Sequence, residues 1–296
     1  MEVRTVFVKL TPVENINNEP FQTWRKFPEL EATSPTPNNP PWNSWTAVGV
    51  WVFSVLAIII FPGIFVLPYI MSMAGQFENQ QLLVDFATND PTAILLQVIA
   101  IIPAHVFTLL AAWLVVTKMR KYSFRQTLGW GSGGFKWWYY IAILLVFFAF
   151  AAVVGTYFPP QDTQLDRILK SSRAVVFVVA FMATFTAPMV EEVVYRGVLY
   201  SAFQRKFGIP ISVFLVTAVF AAVHVPQYME SLPTIFILVI LSLILTVIRA
   251  KTNNLLPCII LHTIFNGLQS TALILEPYFP QTTPAPDALM IFQLLQ

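Results

Sequence analysis

Charged side chains are scarce in this sequence, since Lys, Arg, Asp and Glu together make up 11% of its 296 residues. Soluble domains carry about 25% charged residues. A soluble protein of this size needs a polar shell, and this composition cannot supply one. The net charge of +2 is also too small to attract a nucleic acid, so we expect no nucleic-acid partner. These shortages exclude a soluble globular domain.

Cysteine and signal-peptide features are also missing. Cys258 is the single cysteine, which excludes a disulfide framework within the chain. The first ten residues, MEVRTVFVKL, lack the long apolar core of a secretory signal peptide. We therefore expect the chain to enter the membrane through its first long apolar segment.

Long apolar runs are abundant, because 56% of the residues are hydrophobic. A helix needs about 20 apolar residues to cross a bilayer core, with a range of about 17–25. Seven segments qualify, and the fourth of them is longer and carries charges: Thr46–Met71, Thr92–Val116, Trp137–Phe158, Ala174–Phe203, Ile209–Val225, Leu232–Ile248 and Leu255–Leu275. The sequence predicts an all-α, polytopic transmembrane helical bundle of about seven spans, with an eighth left open.

The chain divides into a transmembrane domain and two tails. Residues 1–44 contain Pro-rich and Asn-rich stretches such as SPTPNNPPWN, and we expect them to form a disordered cytoplasmic tail. Residues 45–276 form the transmembrane domain. Residues 277–296 form a short C-terminal tail, and its ALMIFQLL stretch could rest on the membrane surface.

Positive residues collect on one side of the predicted bundle. If seven spans alternate, thirteen of the 17 Lys and Arg residues lie on the side of the N-terminus. Arg167, Lys170 and Arg173 lie on the opposite side, and Arg196 lies inside the fourth segment. Because Lys and Arg are retained in cytoplasmic loops, we expect a cytoplasmic N-terminus and a C-terminus outside.

Three charges interrupt the fourth apolar segment: Glu191, Glu192 and Arg196. An intramembrane charge costs about 2.5–3.5 kcal/mol even on a lenient insertion scale, so this cluster indicates partners and a function. Glu192 and Arg196 have the favourable acid-first i, i+4 spacing. Glu191 lies about 100° around the helix, which leaves it available for proton chemistry. A charge cluster at the headgroups is the alternative, weakened because apolar residues resume at Val198.

All three histidines of the chain, His105, His224 and His262, lie in predicted spans. His262 and Asn266 share a helix face at i, i+4. Helix rise places Glu191 and His224 at about 20 and 22 Å from the cytoplasmic turn, with His262 at about 12 Å. Convergence at one level is therefore feasible. His105 has no acidic or amide side chain one turn away, and we interpret it as a hydrogen-bonded core residue.

Three ordered motifs in this region carry a resemblance to a known family. The chain resembles the CPBP family, which comprises type II CAAX prenyl endopeptidases and the bacteriocin-processing Abi relatives. The resemblance covers about residues 188–267. The motifs are EExxxR at Glu191, Glu192 and Arg196, FxxxH at Phe220 and His224, and HxxxN at His262 and Asn266. It implies a water-accessible cavity within the membrane, where peptide bonds are hydrolysed.

These residue types suit peptide hydrolysis. A carboxylate in low-dielectric surroundings is a suitable general base near neutral pH, so Glu191 with His224 is expected to bind and deprotonate water. His262 and Asn266 are expected to donate hydrogen bonds to the oxyanion. Glu192 and Arg196 would order the site or hold the carboxyl end of the substrate.

A zinc-dependent version of this chemistry is the main alternative. Glu191, His224 and His262 would then be the zinc ligands and Glu192 the base. The metal-free mechanism is favoured because Arg196 adds a positive charge beside the acids and Asn266 is a poor zinc ligand, so no cofactor is expected.

Two other functions are alternatives to proteolysis. A non-catalytic membrane-binding or bacteriocin-immunity protein would not need all the motif residues. A transporter with a proton relay usually shows internal repeats, and this sequence has none. The expected partners are membrane lipid and a peptide or protein substrate, lipid-anchored if it is CAAX-like. The expected location is the bacterial inner membrane.

Overall fold

The computed structural model describes residues 34–278, which form helices joined by loops. Seven helical runs are long and apolar enough to cross a membrane, and we number them as spans 1 to 7 in chain order. They are Ser44–Gln76, Pro91–Val116, Trp137–Tyr157, Arg173–Phe207, Ile209–Tyr228, Leu232–Thr252 and Leu256–Tyr278. The predicted all-α, polytopic transmembrane bundle is confirmed, and the chain is an integral membrane protein. Helices satisfy their own backbone hydrogen bonds in lipid, which explains why apolar runs predicted the spans well.

Several spans contain more than one helical segment. Span 1 is an α-helix, Ser44–Met73, with a 3₁₀ turn at Ala74–Gln76. Span 2 joins the helices Pro91–Ile99 and Ile101–Val116. Span 7 is the helix Leu256–Leu275 with a 3₁₀ turn at Glu276–Tyr278. Short helices outside the spans cover Gln80–Asn89, Phe124–Leu128 and Gln164–Leu169.

Local sequence signals explain where these spans begin. The side chains of Asn43, Asp90 and Ser172 accept hydrogen bonds from free backbone N–H groups at the starts of spans 1, 2 and 4. Spans 5, 6 and 7 each have a proline in their first turn, where its missing N–H has no cost. Gly208, with φ of +79°, makes the tight turn that sets spans 4 and 5 side by side.

Span 4 is the centre of the bundle. It contacts spans 1, 2, 5, 6 and 7, and every residue from 192 to 203 is buried. The outer spans expose large apolar side chains such as Ile59 and Val146, as expected for surfaces that face lipid. Two of the three charges predicted within span 4, Glu192 and Arg196, therefore lie inside protein.

The segment Pro35–Asn43, which we call the strap, packs against the ends of spans 4 and 6. The indole of Trp42 is buried, and its N–H donates to the carbonyl oxygen of Val198 in span 4 at 3.0 Å. Arg205 of span 4 and Arg249 of span 6 donate to three backbone carbonyl groups of the strap. The strap thereby links the two spans that carry most of the buried polar side chains of the site.

The strap departs from the expectation that residues 1–44 are disordered. Its Pro-rich and Asn-rich composition is typical of disorder, but one buried tryptophan and two arginine partners supply enough contacts to order it. Residues 1–33, the ALMIFQLL stretch and any eighth span lie outside the described residues.

Candidate active site

Span 4 contains two π-helical stretches around the acidic pair. The first is Met182–Thr186 and the second is Glu192–Leu199, separated by the α-helical turn Ala187–Glu191. A π-helical stretch pairs each N–H with the carbonyl five residues earlier, and such stretches are frequent at functional sites. The acidic pair therefore lies where the helix changes its geometry.

Arg196 is completely buried and fully engaged. Its Nη1 donates to Oε1 of Glu192 at 2.9 Å, and both side chains are 0% exposed. Span 6 supplies Ser242 and Thr246, whose oxygen atoms accept from Nη2 and Nε at 2.8 and 3.2 Å. The guanidinium also lies 4.6 Å from the centre of the Phe220 ring. The predicted pairing of Arg196 with Glu192 is confirmed, and no ion pair joins Arg196 to Glu191 among residues 34–278.

His262 lies between the two glutamates. Its Nδ1 is 2.8 Å from Oε1 of Glu192, and its Nε2 is 3.8 Å from Oε2 of Glu191. Because an ionised carboxylate only accepts hydrogen bonds, the proton of this bond lies on Nδ1. Glu192 thus fixes the tautomer of His262 and directs Nε2 towards Glu191.

The two glutamates have different surroundings. Glu192 is buried, and its Oε1 accepts from both Arg196 and His262, while Oε2 has no hydrogen-bond partner within the described residues. Glu191 has 22% of its side chain exposed and lies outside this hydrogen-bonded cluster. Glu192 therefore organises the site, whereas Glu191 can reach a molecule from outside.

The FxxxH motif of span 5 has two structural roles. The carbonyl oxygen of Phe220 accepts a hydrogen bond from Nδ1 of His224 at 2.7 Å, and the Phe220 ring covers Arg196. Since Nδ1 of His224 is the donor, its Nε2 keeps a lone pair. Phe220 is also the link between the motifs, because its ring centre is 6.5 Å from that of His262.

Asn266 holds the first π-helical stretch of span 4. Its Nδ2 donates to the carbonyl oxygen of Ala183 at 2.8 Å. One amide N–H is therefore engaged with the backbone, and the second is left for other acceptors. The structure thus brings Glu191, Glu192 and His262 into one cluster. His224 is connected to that cluster by Phe220, which contacts both histidines. Asn266 is connected to it by the backbone of span 4. A single cavity lined by all of them stays a prediction.

The zinc alternative requires three donors around one point. Within residues 34–278, no three His, Cys, Asp or Glu side chains are placed to hold one metal ion. Glu191 and His262 approach each other at 3.8 Å, but His224 does not complete a group with them. This donor set does not fit a catalytic zinc site, and we derive no step through a metal.

Sequence reasoning missed the partners of Arg196 in span 6. Ser242 and Thr246 are hydroxyl residues at i, i+4 in an apolar helix, which was the available signal. It also gave His105 no more than a core role. The hydrogen bond expected for that residue is present, with Nδ1 lying 2.8 Å from Oγ1 of Thr186.

Comparison with known proteins gives a family match for the part of the chain that contains this site. Residues 173–268 match the family described as type II CAAX prenyl endopeptidase Rce1-like, about a third of the chain. This match supports an assignment to the CPBP family of intramembrane proteases. The Rce1-like segment runs from the start of span 4 into span 7 and contains the motif residues of the site: Glu191, Glu192, Arg196, His224, His262 and Asn266.

The family match supports a hydrolase that acts as an intramembrane endopeptidase. Spans 1 to 3 lie outside the Rce1-like segment. No curated protein and no solved structure matches the chain. The assignment therefore depends on the Rce1-like segment together with the geometry of its buried charges.

Proposed function

We propose that this protein hydrolyses peptide bonds of membrane-associated, CAAX-like substrates, with Glu191 as the general base. The observation that carries the proposal is the division of labour between the glutamates. Arg196 and His262 engage Glu192, whereas Glu191 is partly exposed and faces Nε2 of His262. A buried but reachable carboxylate is what activation of a water molecule requires.

The proposed reaction balances with these groups alone. Glu191 takes a proton from water as the oxygen attacks the scissile carbonyl carbon, and His224 helps to hold that water through its free Nε2. The oxyanion is stabilised by the free amide N–H of Asn266 and by Nε2–H of His262, which acts as an imidazolium and keeps its Nδ1 proton hydrogen-bonded to Glu192. The C–N bond then breaks, and Glu191 returns its proton to the leaving nitrogen. Glu192 and Arg196 hold His262 in place during both steps.

The substrate is proposed from the family match, and the topology from the distribution of Lys and Arg. The matched family is described as a type II CAAX prenyl endopeptidase, so a peptide or protein with a lipid-anchored C-terminus is the proposed substrate. The concentration of Lys and Arg on one side supports a cytoplasmic N-terminus. A bacterial inner membrane remains the proposed location.

A proteomic comparison tests the proposed activity. Membranes from cells that produce the wild-type chain should contain cleavage products that are missing when Glu191→Ala is produced at the same level. Mass spectrometry of protein C-termini reads this difference directly. Identical sets of C-termini for the two chains would contradict proteolysis and favour a binding or immunity function.

Metal removal tests the mechanism separately. Because the donor groups do not assemble a three-ligand site, we expect purified protein to keep its activity after exhaustive chelation. Elemental analysis should then find well under one zinc per chain. Loss of activity on chelation, with restoration by zinc alone, would overturn the metal-free mechanism and make Glu192 the base.

A further inference from the structure

His105 lies outside the three motifs, yet it contacts the helix that carries the acidic pair. The residue belongs to span 2 and is 6% exposed. Its Nδ1 lies 2.8 Å from the hydroxyl oxygen of Thr186, the last residue of the first π-helical stretch of span 4. Its Nε2 has no hydrogen-bond partner among residues 34–278. Nδ1 therefore attaches the ring to span 4, whereas Nε2 makes no hydrogen bond within the described residues.

The first π-helical stretch is held from two opposite neighbours. Span 7 binds it through Asn266, which donates to the carbonyl of Ala183, and span 2 binds it through the His105–Thr186 contact. Gly267 packs closely here, since a Cβ atom at that position would lie 3.4 Å from the Thr184 side chain. The position of this stretch is thus set by named contacts.

Glu191 depends on this stretch for its direction. The α-helical turn Ala187–Glu191 follows Thr186 directly, so a rotation of the stretch is passed on to the carboxylate. Arg196 holds Glu192 but not Glu191.

We propose that His105 is a positioning residue of the site, which through Thr186 fixes the π-helical stretch that directs Glu191 towards His262. This inference rests on the proposed function for its catalytic meaning. The direction of the Glu191 carboxyl group can be measured without any substrate. A core histidine without this role would affect stability alone.

Chemical labelling of Glu191 provides that measurement. A hydrophobic carbodiimide reacts with protonated carboxyl groups inside membranes, and peptide mass spectrometry shows which glutamate was modified. We expect His105→Leu and Thr186→Val to raise the labelling rate of Glu191 several-fold, because the released carboxyl group turns away from the bundle interior. Thr186→Ser should retain the wild-type rate, since it keeps the hydroxyl group.

Thr108→Val is the matched control, because Thr108 lies one turn further along span 2, is fully buried and has no hydroxyl partner among residues 34–278. It should leave the labelling rate unchanged. In a working assay, His105→Leu should also lower kcat by about 10- to 100-fold with KM unchanged, as expected for a small misplacement of the base. The double variant with Thr186→Val should be no worse than either single variant, because both changes break one contact.

The outcomes separate the two proposals. Faster labelling in the His105 and Thr186 variants supports the positioning role even if no proteolysis is found. Unchanged labelling in His105→Leu, together with a lower melting temperature, would show that His105 is a core residue and overturn the inference, whatever the activity of the protein.

Discussion

Replacing Arg196 with methionine is expected to destabilise the folded protein by about 3–5 kcal/mol, since it leaves a buried carboxylate without its cation. Arg196 and Glu192 are both 0% exposed, so water cannot replace the lost partner. The hydroxyl groups of Ser242 and Thr246 also lose their donor. Because folded proteins are stable by only about 5–15 kcal/mol, this loss removes a large share of the total stability and should lower the melting temperature markedly. Thermal unfolding in detergent measures the effect.

Two further variants make this expectation specific. Arg167→Met breaks an exposed ion pair with Glu230, whose side chains are 59% and 38% exposed, and should cost less than about 1 kcal/mol. The double variant Arg196→Met with Glu192→Gln removes both charges and should regain much of the lost stability, but no activity. A stable single Arg196→Met variant would show that the pair does not hold span 4 in place.

The spans and the Glu192–Arg196 ion pair could be predicted because each depends on residues that are close together in the sequence. Apolar runs of sufficient length become helices in lipid, where every backbone N–H and C=O must find a partner within the segment. The Glu192–Arg196 contact needs only i, i+4 spacing. For the same reason, the sequence could indicate that Glu191 faces a different direction from Glu192.

The partners that complete the site are distant in sequence and could not be predicted. Asn266 and Ala183 are separated by 83 residues, and Arg196 and Thr246 by 50. The π-helical stretches leave no signal in composition, because they change backbone pairing and not residue type. Counting helix rise from cytoplasmic turns assumed to lie at one level places His262 about 8 Å from the level of Glu191. His262 Nε2 nevertheless comes within 3.8 Å of Glu191 Oε2, because the two long side chains can span such a difference in level.

The strap shows how composition can mislead over a short segment. The proline and asparagine content of residues 1–44 predicts disorder, yet one buried aromatic side chain can anchor a short segment to the bundle. Trp42 buries its ring and satisfies its N–H on Val198, within the second π-helical stretch of span 4. The contact ties the tail to the same helix that carries the acidic pair.

The largest effect on activity is expected from Glu191→Gln, a change that keeps the size of the side chain and removes the base. General-base catalysis contributes about 10²–10⁴-fold, so kcat should fall by that factor. The melting temperature should change little, because the contact of Glu191 with the Arg196 cluster is the 3.8 Å approach to His262 and 22% of its side chain is exposed. Purified variants assayed for both kcat and thermal unfolding give the two numbers.

Glu192→Gln provides the matched comparison at the neighbouring position. This change leaves Arg196 buried without an anion and weakens the bond that fixes Nδ1 of His262, so activity and stability should fall together. The pattern therefore separates a base from an organising carboxylate. If Glu192→Gln instead abolished turnover at an unchanged melting temperature while Glu191→Gln stayed active, the two roles would be exchanged. Glu192 is the base in the zinc-dependent alternative, where its free Oε2 would take the proton, so that result would also direct attention to the metal content of the protein.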